Sequence, residues 1–263
     1  MKNEQLRFPW DGNAIVAEEY KGKNYVVWDG NRKKKSVLVF FSSNGLYYPD
    51  DERTFADTIC NKNRYEWKRI GKFLALRRRY SRIIYIRDIY KSWYVRGINS
   101  TYNNIDKVAV LLKELTAGYT EIVCCGVSAG GYAASVCGIL IGATRVISIS
   151  GYLDLSEKLI LNPLLKEEVK KDSPTMYINV GEMLKGKKVD TKIYYCFSAF
   201  SEEDKKQYSY LDSENIVALA FDSDVHGKPM RRRSLIRLLE MDEKKLDILV
   251  KKYRNCIIDR DKF

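Results

Sequence analysis

Gly126-Val-Ser-Ala-Gly130, followed by Gly131, sets a serine between glycines. It joins an apolar run, Glu121–Cys125, to a small-residue helical pattern, Ala129–Ile141. A strand that turns sharply into a helix at such a serine lifts the hydroxyl clear of the sheet edge, and only small neighbours allow the two elements so close. The helix N-terminus behind Ser128 offers unpaired N–H groups and a partial positive charge, so the amide of Ala129 can donate to an oxyanion. The chemistry this suits is attack on a carbonyl through a covalent acyl-serine. The competing reading is an ordinary Gly-rich turn of the kind that binds phosphate.

A serine needs a base, and the chain holds one histidine. His226 lies in Phe221-Asp-Ser-Asp-Val-His-Gly227, just after the apolar run Ile216–Phe221. In Gly-x-Ser-x-Gly hydrolases the order along the chain is serine, acid, histidine. The acid is therefore expected after the run Lys192–Phe197, where Glu202, Glu203 and Asp204 stand together. Asp204 is the first choice, with Glu203 and Glu202 next and Asp154 as a further candidate. Asp222 and Asp224 are very near His226 in sequence. The three acids after Ser201 also suit the first turn of a helix, and the two roles are compatible. A second oxyanion amide is expected from Ser42 or Ser43, in the loop that leaves Ser36–Phe41.

A further segment, Tyr85-Ile-Arg-Asp-Ile-Tyr-Lys-Ser-Trp-Tyr-Val-Arg-Gly97, follows the run Arg82–Ile86. Ligands of open α/β sheets bind at the C-terminal ends of the strands, so Asp88, Trp93, Tyr94 and Arg96 are candidates to bind substrate. The indole can stack on a sugar or an adenine, and Arg96 can pair with carboxylate or phosphate. The alternative is a Trp-Tyr pair buried to pack the loop.

The elements that must position these residues read as strands alternating with helices. Ser36–Phe41, Arg82–Ile86, Glu121–Cys125, Thr144–Ser150, Lys192–Phe197 and Ile216–Phe221 are continuous apolar runs, the pattern of strands buried on both faces. Helical patterns fall at Asn104–Glu114, Ala129–Ile141, Pro163–Lys171, Glu202–Leu211, Met230–Glu240 and Glu243–Tyr253. Ala14–Ala17 and Tyr25–Trp28 flank a Lys21-Gly-Lys-Asn turn and read as an antiparallel hairpin. The expectation is one α/β domain over residues 1–263: a three-layer sandwich, mostly parallel, with the hairpin at one edge.

Composition narrows the function. The 263 residues carry 46 Lys+Arg against 34 Asp+Glu, a net charge of +12, which favours anionic partners. The basic clusters Arg32–Lys35, Arg77–Arg79, Lys185–Lys188 and Arg231–Arg233 are short and scattered, and no nucleic-acid motif accompanies them. One histidine and no Cys-x-x-Cys pair speak against a zinc centre, and no metal site is expected. The start Met1-Lys-Asn-Glu-Gln-Leu-Arg lacks an apolar leader core, and no run approaches the ~18 apolar residues of a membrane span. A cytoplasmic protein with six free cysteines is the expectation, with peripheral membrane association left open.

With Ser128, Asp204 and His226 in this order and the Phe41–Gly45 loop ahead of them, the chain resembles the α/β-hydrolase superfamily over nearly its whole length. The strand ending in Asp88, with Trp93-Tyr94 and Gly97 beyond it, is similar to that of bacterial α/β-hydrolase-fold proteins that O-acetylate capsule or other surface glycans. That resemblance implies acetyl-CoA as donor, no permanently bound cofactor, and a sugar hydroxyl as acceptor; the charge of +12 suits CoA phosphates and an anionic or phosphorylated glycan. An esterase or deacetylase would use the same residues with water. A non-catalytic accessory protein would need neither Ser128 nor His226.

Overall fold

The computed structural model describes residues 10, 12–30, 34–161, 165–167, 177–185, 189–210 and 213–263. Its frame is a sheet of eight strands: β1 (Tyr25–Asp29), β2 (Ser36–Phe41), β3 (Arg82–Ile86), β4 (Glu121–Val127), β5 (Arg145–Ile149), β6 (Lys192–Ser198), β7 (Ile216–Phe221) and β8 (Ile257–Ile258). Their order across the sheet is β1-β3-β2-β4-β5-β6-β7-β8. Only β1, against β3, is antiparallel. Every other neighbouring pair is parallel.

The two-residue period of the strands divides the core. Val37, Val39 and Phe41 of β2 and Cys124 of β4 join the cluster on one face; Leu38 and Phe40 with Val123 and Cys125 join that on the other. All six residues of β2 and all five of β5 are buried, as continuous apolar runs require of strands covered on both sides. Helices α2 (Ile105–Thr116) and α3 (Ala129–Ile141) cover the first face. Helices α5 (Arg232–Glu240) and α6 (Glu243–Tyr253) cover the second. Helix α4 (Glu202–Ser209) follows β6. Asn104 caps α2 by accepting from the amide of Lys107.

The N-terminal hairpin does not form. Residues Ala14–Glu19 are helix α1, because Asn13 accepts from the amides of Ile15 and Val16 and starts a turn. Four residues of alternation are too few to outweigh that cap, and Val16 is buried against Trp10, Leu46, Tyr47 and Phe55 instead. The antiparallel edge strand is present, but its partner is β3. Of the helix expected over Pro163–Lys171, residues 165–167 are helical and the rest lie outside the described residues, as do parts of the basic clusters Arg32–Lys35 and Lys185–Lys188. Strand β8 was too short to read from sequence.

Candidate active site

Ser128 occupies the turn between β4 and α3 with φ +53° and ψ −119°. A non-glycine residue in this region costs on the order of 1–3 kcal/mol and persists only where its surroundings hold it. Here the Ser128 amide donates to Ile149 O at 2.9 Å, tying the turn to the end of β5. The glycines are dictated by contact. A Cβ at Gly126 would lie 2.2 Å from Gly130 O, and one at Gly130 would lie 2.5 Å from Phe41 O. The serine hydroxyl does not cap its own helix, so it is directed elsewhere.

Ser128 Oγ donates to His226 Nε2 at 2.9 Å, and His226 Nδ1 donates to Asp204 Oδ1 at 2.5 Å. Asp204 is wholly buried. Its second oxygen, Oδ2, accepts from Ser150 Oγ at 2.6 Å and from the Ser198 amide at 2.8 Å. A buried carboxylate with both oxygens paired is held in one orientation, as a partner for an imidazole must be. The main chain of Asp204 belongs to the first turn of α4, where its amide donates to Ser201 Oγ. Helix capping and imidazole binding therefore meet in one residue. Ser198 Oγ also donates to Val225 O at 2.7 Å, fixing the loop immediately before His226.

The other acids stand differently. Glu203 Oε2 is 3.6 Å from His226 Nδ1, beyond hydrogen-bond reach, while its Oε1 accepts from Tyr152 and Lys158. Burial raises the Glu203 carboxyl, but Tyr152, His226 and Lys158 together outweigh it and hold the group below the usual range. Glu202 is exposed and pairs with Lys205. Asp154 is spent on the amide of Ser156 and on Asn179. Asp222 and Asp224 are exposed beside Phe200 and Arg260.

The amides expected to complete an oxyanion site are both engaged. The Ser42 amide donates to Ile86 O at 3.0 Å, continuing the pairing of β2 with β3, so it points into the sheet. The Ser43 amide donates to Glu66 Oε2 at 2.6 Å, and Ser43 Oγ donates to Glu66 Oε1 at 3.0 Å. Burial pushes the Glu66 carboxyl up, only partly offset by the two bonds from Ser43. Ala129 stands at the first position of α3.

The segment after β3 is built for packing rather than for open contact with a ligand. Asp88 is buried, and its carboxylate accepts from the amides of Tyr90, Ser92 and Tyr94 and from Ser92 Oγ. It thereby holds Lys91, Trp93 and Tyr94 at positive φ. Tyr94 has no exposed surface, and its hydroxyl donates to Ser42 O at 3.0 Å. Trp93 is 8% exposed, too little for its face to stack on a sugar. Its ring meets Tyr152 edge-on, and Tyr152 in turn lies 5.7 Å from the His226 ring. Arg96 lies over the ring of Tyr90. No local motif marks Ser150, Ser198, Tyr152 or Glu66. The signal for Ser150 was a small polar residue at the end of an apolar strand, beside Gly151.

By sequence, no family model matches this chain and no curated protein does; the likeness is structural. The capsule O-acetyltransferase of Neisseria meningitidis serogroup A superposes with a TM-score of 0.56 at 13% identity, over 86% of this chain and 90% of that one. The chain has the α/β-hydrolase fold. A histidine-to-alanine variant of the same meningococcal enzyme, in complex with CoA, superposes with a TM-score of 0.53 at 10% identity, over 86% of this chain and 90% of that one. A bifunctional GH43-CE protein of Bacteroides eggerthii gives 0.50 at 14% identity, over 83% of this chain and 36% of that one. The α/β-hydrolase sheet thus carries Ser128 after β4, Asp204 after β6 and His226 after β7. No helix among the described residues is long and apolar enough to cross a membrane.

Proposed function

We propose that the protein is a serine-dependent O-acyltransferase that moves an acetyl group from acetyl-CoA to a hydroxyl of a bacterial surface polysaccharide. The observation that carries the reading is the unbroken chain from Ser128 Oγ through His226 to buried Asp204 at a left-handed serine turn. His226 Nε2 takes the Ser128 proton as Oγ bonds to the acyl carbon. The carbonyl oxygen gains the charge and accepts from the Ala129 amide at the start of α3. When the tetrahedral species collapses, the carbon–sulfur bond breaks and the CoA thiolate takes the proton from His226. An acceptor hydroxyl then gives its proton to His226 and attacks the acyl-serine, and Ser128 recovers its proton. Asp204 holds the imidazole tautomer through both halves.

The acetyl donor and glycan acceptor are supported by the likeness to the meningococcal capsule O-acetyltransferase and to its CoA complex. The net charge of +12 suits CoA phosphates and an anionic or phosphorylated glycan. The reading takes residues 1–263 as one domain working in the cytoplasm, where such a donor is made. Tyr152, whose ring lies 5.7 Å from that of His226, is the aromatic contact to the base, with Trp93 edge-on behind it and Asp88 and Tyr94 holding that loop. Hydrolysis is the second reading, and one feature favours it: the His226 side chain keeps 26% of its surface exposed, so water reaches the base.

Incubation with labelled acetyl-CoA, with and without capsule-type glycans, separates the two. Label on the glycan that requires Ser128 supports transfer. Release of free acetate alone supports hydrolysis, and label transfer unchanged in Ser128→Ala removes the serine mechanism.

A further inference from the structure

Glu66 is anchored from both sides in sequence: Tyr65 and Trp67 are buried, Trp67 Nε1 donates to Phe41 O at 2.7 Å, and its ring stacks on Phe40. The backbone of Glu66 is thereby fixed beneath the end of β2, and its carboxylate grips Ser43 at both the amide and the hydroxyl. Ser43 is the second residue beyond β2, the strand hydrogen-bonded to β4, which delivers Ser128. That exit lies against the serine turn itself: a Cβ on Gly130 would touch Phe41 O and Ser42 O. In this fold the second oxyanion donor comes from the loop after that strand. With the Ser42 amide bound into the sheet, Ser43 is the donor of this pair that a side-chain movement can free.

We propose that Glu66 is a specificity-determining residue: its carboxylate occupies the second oxyanion donor, Ser43 N–H, and withdraws when an acyl carbonyl is activated at Ser128. This rests on the serine-nucleophile reading above. A carboxylate oxygen is a good stand-in for an oxyanion, since both are negatively charged acceptors of a backbone N–H. As Ser128 Oγ bonds to the acyl carbon, the carbonyl π pair becomes the oxygen's charge. That oxygen replaces Glu66 Oε2 on Ser43 and joins the Ala129 amide. Space for the withdrawn side chain exists. Glu66 lines a cavity of about 180 Å³ that also meets Val127, Gly227, Arg231 and Arg232. Arg231 already pairs with Asp261, and Arg232 beside it offers the displaced charge a partner; Val127 and Gly227 adjoin Ser128 and His226 in sequence. Such a site favours acyl groups bound firmly enough to displace the carboxylate and disfavours small, weakly held esters.

The test uses the full chain with 4-nitrophenyl acetate as substrate and butylboronic acid as a tetrahedral mimic that bonds to the serine. Glu66→Ala frees the Ser43 amide. It should raise kcat/KM for the small ester and lower the boronate Ki, each by roughly tenfold, about the worth of one hydrogen bond to a charged group. Glu66→Gln keeps the shape but accepts more weakly, so it should shift both in the same direction by a few-fold. Because Gln conserves volume, it decides the matter if the alanine variant does not fold. Unchanged or weaker boronate binding in a folded Glu66 variant overturns the proposal. Ser128→Ala distinguishes the two layers. If it keeps wild-type ester turnover, the serine reading fails and this inference with it. If it abolishes turnover while the Glu66 variants change nothing, only the role of Glu66 is lost.

Discussion

Ser150 Oγ donates to Asp204 Oδ2 at 2.6 Å, on the carboxylate oxygen that His226 leaves free. Ser150 itself sits at φ +43°, just beyond β5, so the chain leaves a parallel strand in a strained turn at the residue that steadies the acid. A hydrogen bond to a buried charge is worth about 1.5–3 kcal/mol. Ser150→Ala should therefore lower the melting temperature by roughly 5 °C and reduce ester turnover about tenfold, measured by calorimetry and steady-state kinetics on the same preparation. Turnover falling with no loss of stability would place Ser150 outside the support of Asp204.

Asp204 and Glu203 are neighbours in sequence with different relations to the imidazole. Asp204→Asn keeps the volume but presents the wrong hydrogen-bond pattern to Nδ1–H, and the expected loss in kcat is on the order of 10³–10⁴-fold. Glu203→Gln, which removes a charge 3.6 Å from Nδ1, should change kcat by less than about tenfold. Equal losses from the two variants would assign the acid jointly to both.

Glycine is required at the serine turn by contact, not by flexibility alone. Gly126→Ala places a methyl 2.2 Å from Gly130 O, backbone against backbone. That variant should lose on the order of 3 kcal/mol or more, or fail to fold. Gly118, at φ +78° with open space around it, provides the contrast. Gly118→Ala should lose only the left-handed penalty of about 1–2 kcal/mol. Denaturant midpoints of the two variants measure the difference.

Burial pushes the Asp88 carboxyl up to about 6, against the amide bonds from Tyr94, Ser92 and Tyr90 that favour its charged form. A carboxyl whose folded value exceeds its unfolded value binds its proton more tightly when folded. Its stabilising contribution is therefore full below about pH 4 and lost as pH rises through about 6, a change on the order of 3 kcal/mol. Asp88→Asn cannot titrate. The stability difference between wild type and Asp88→Asn should thus shift toward the variant between pH 4 and 7, read from melting temperatures across that range. A difference independent of pH would show that Asp88 ionises in the folded protein as it does in solvent.

The parts of the site legible in sequence were those fixed by local pattern. The serine turn needs glycines at fixed offsets, and the single histidine follows the last long strand, so Ser128 and His226 announced their place. Asp204 was harder because three acids in a first helical turn look alike. Burial separates them, and burial arises from the packing of α4 against β6 and against Ser150 in the turn after β5. Ser42 and Ser43 look like free donors in sequence because nothing local shows that Ile86 and Glu66, brought in by β3 and by the segment before Trp67, already hold them. Asp88 and Trp93 looked like ligand contacts for the same reason: polar and aromatic residues at a strand end serve a binding loop or a packed one, and only the fold decides. The N-terminal hairpin failed where one capping asparagine outweighed four residues of alternation.

Asp204 ties its amide to Ser201 and its carboxylate to His226, Ser150 and Ser198, so the start of a helix and the charge that orients the base are one mechanical unit. Fraying of that helical turn would turn the carboxylate away from the imidazole. The opening reported by solvent exchange at the Asp204 amide is then also the opening that switches the serine off. The equilibrium population of the closed turn sets an upper bound on the fraction of time this site stands armed.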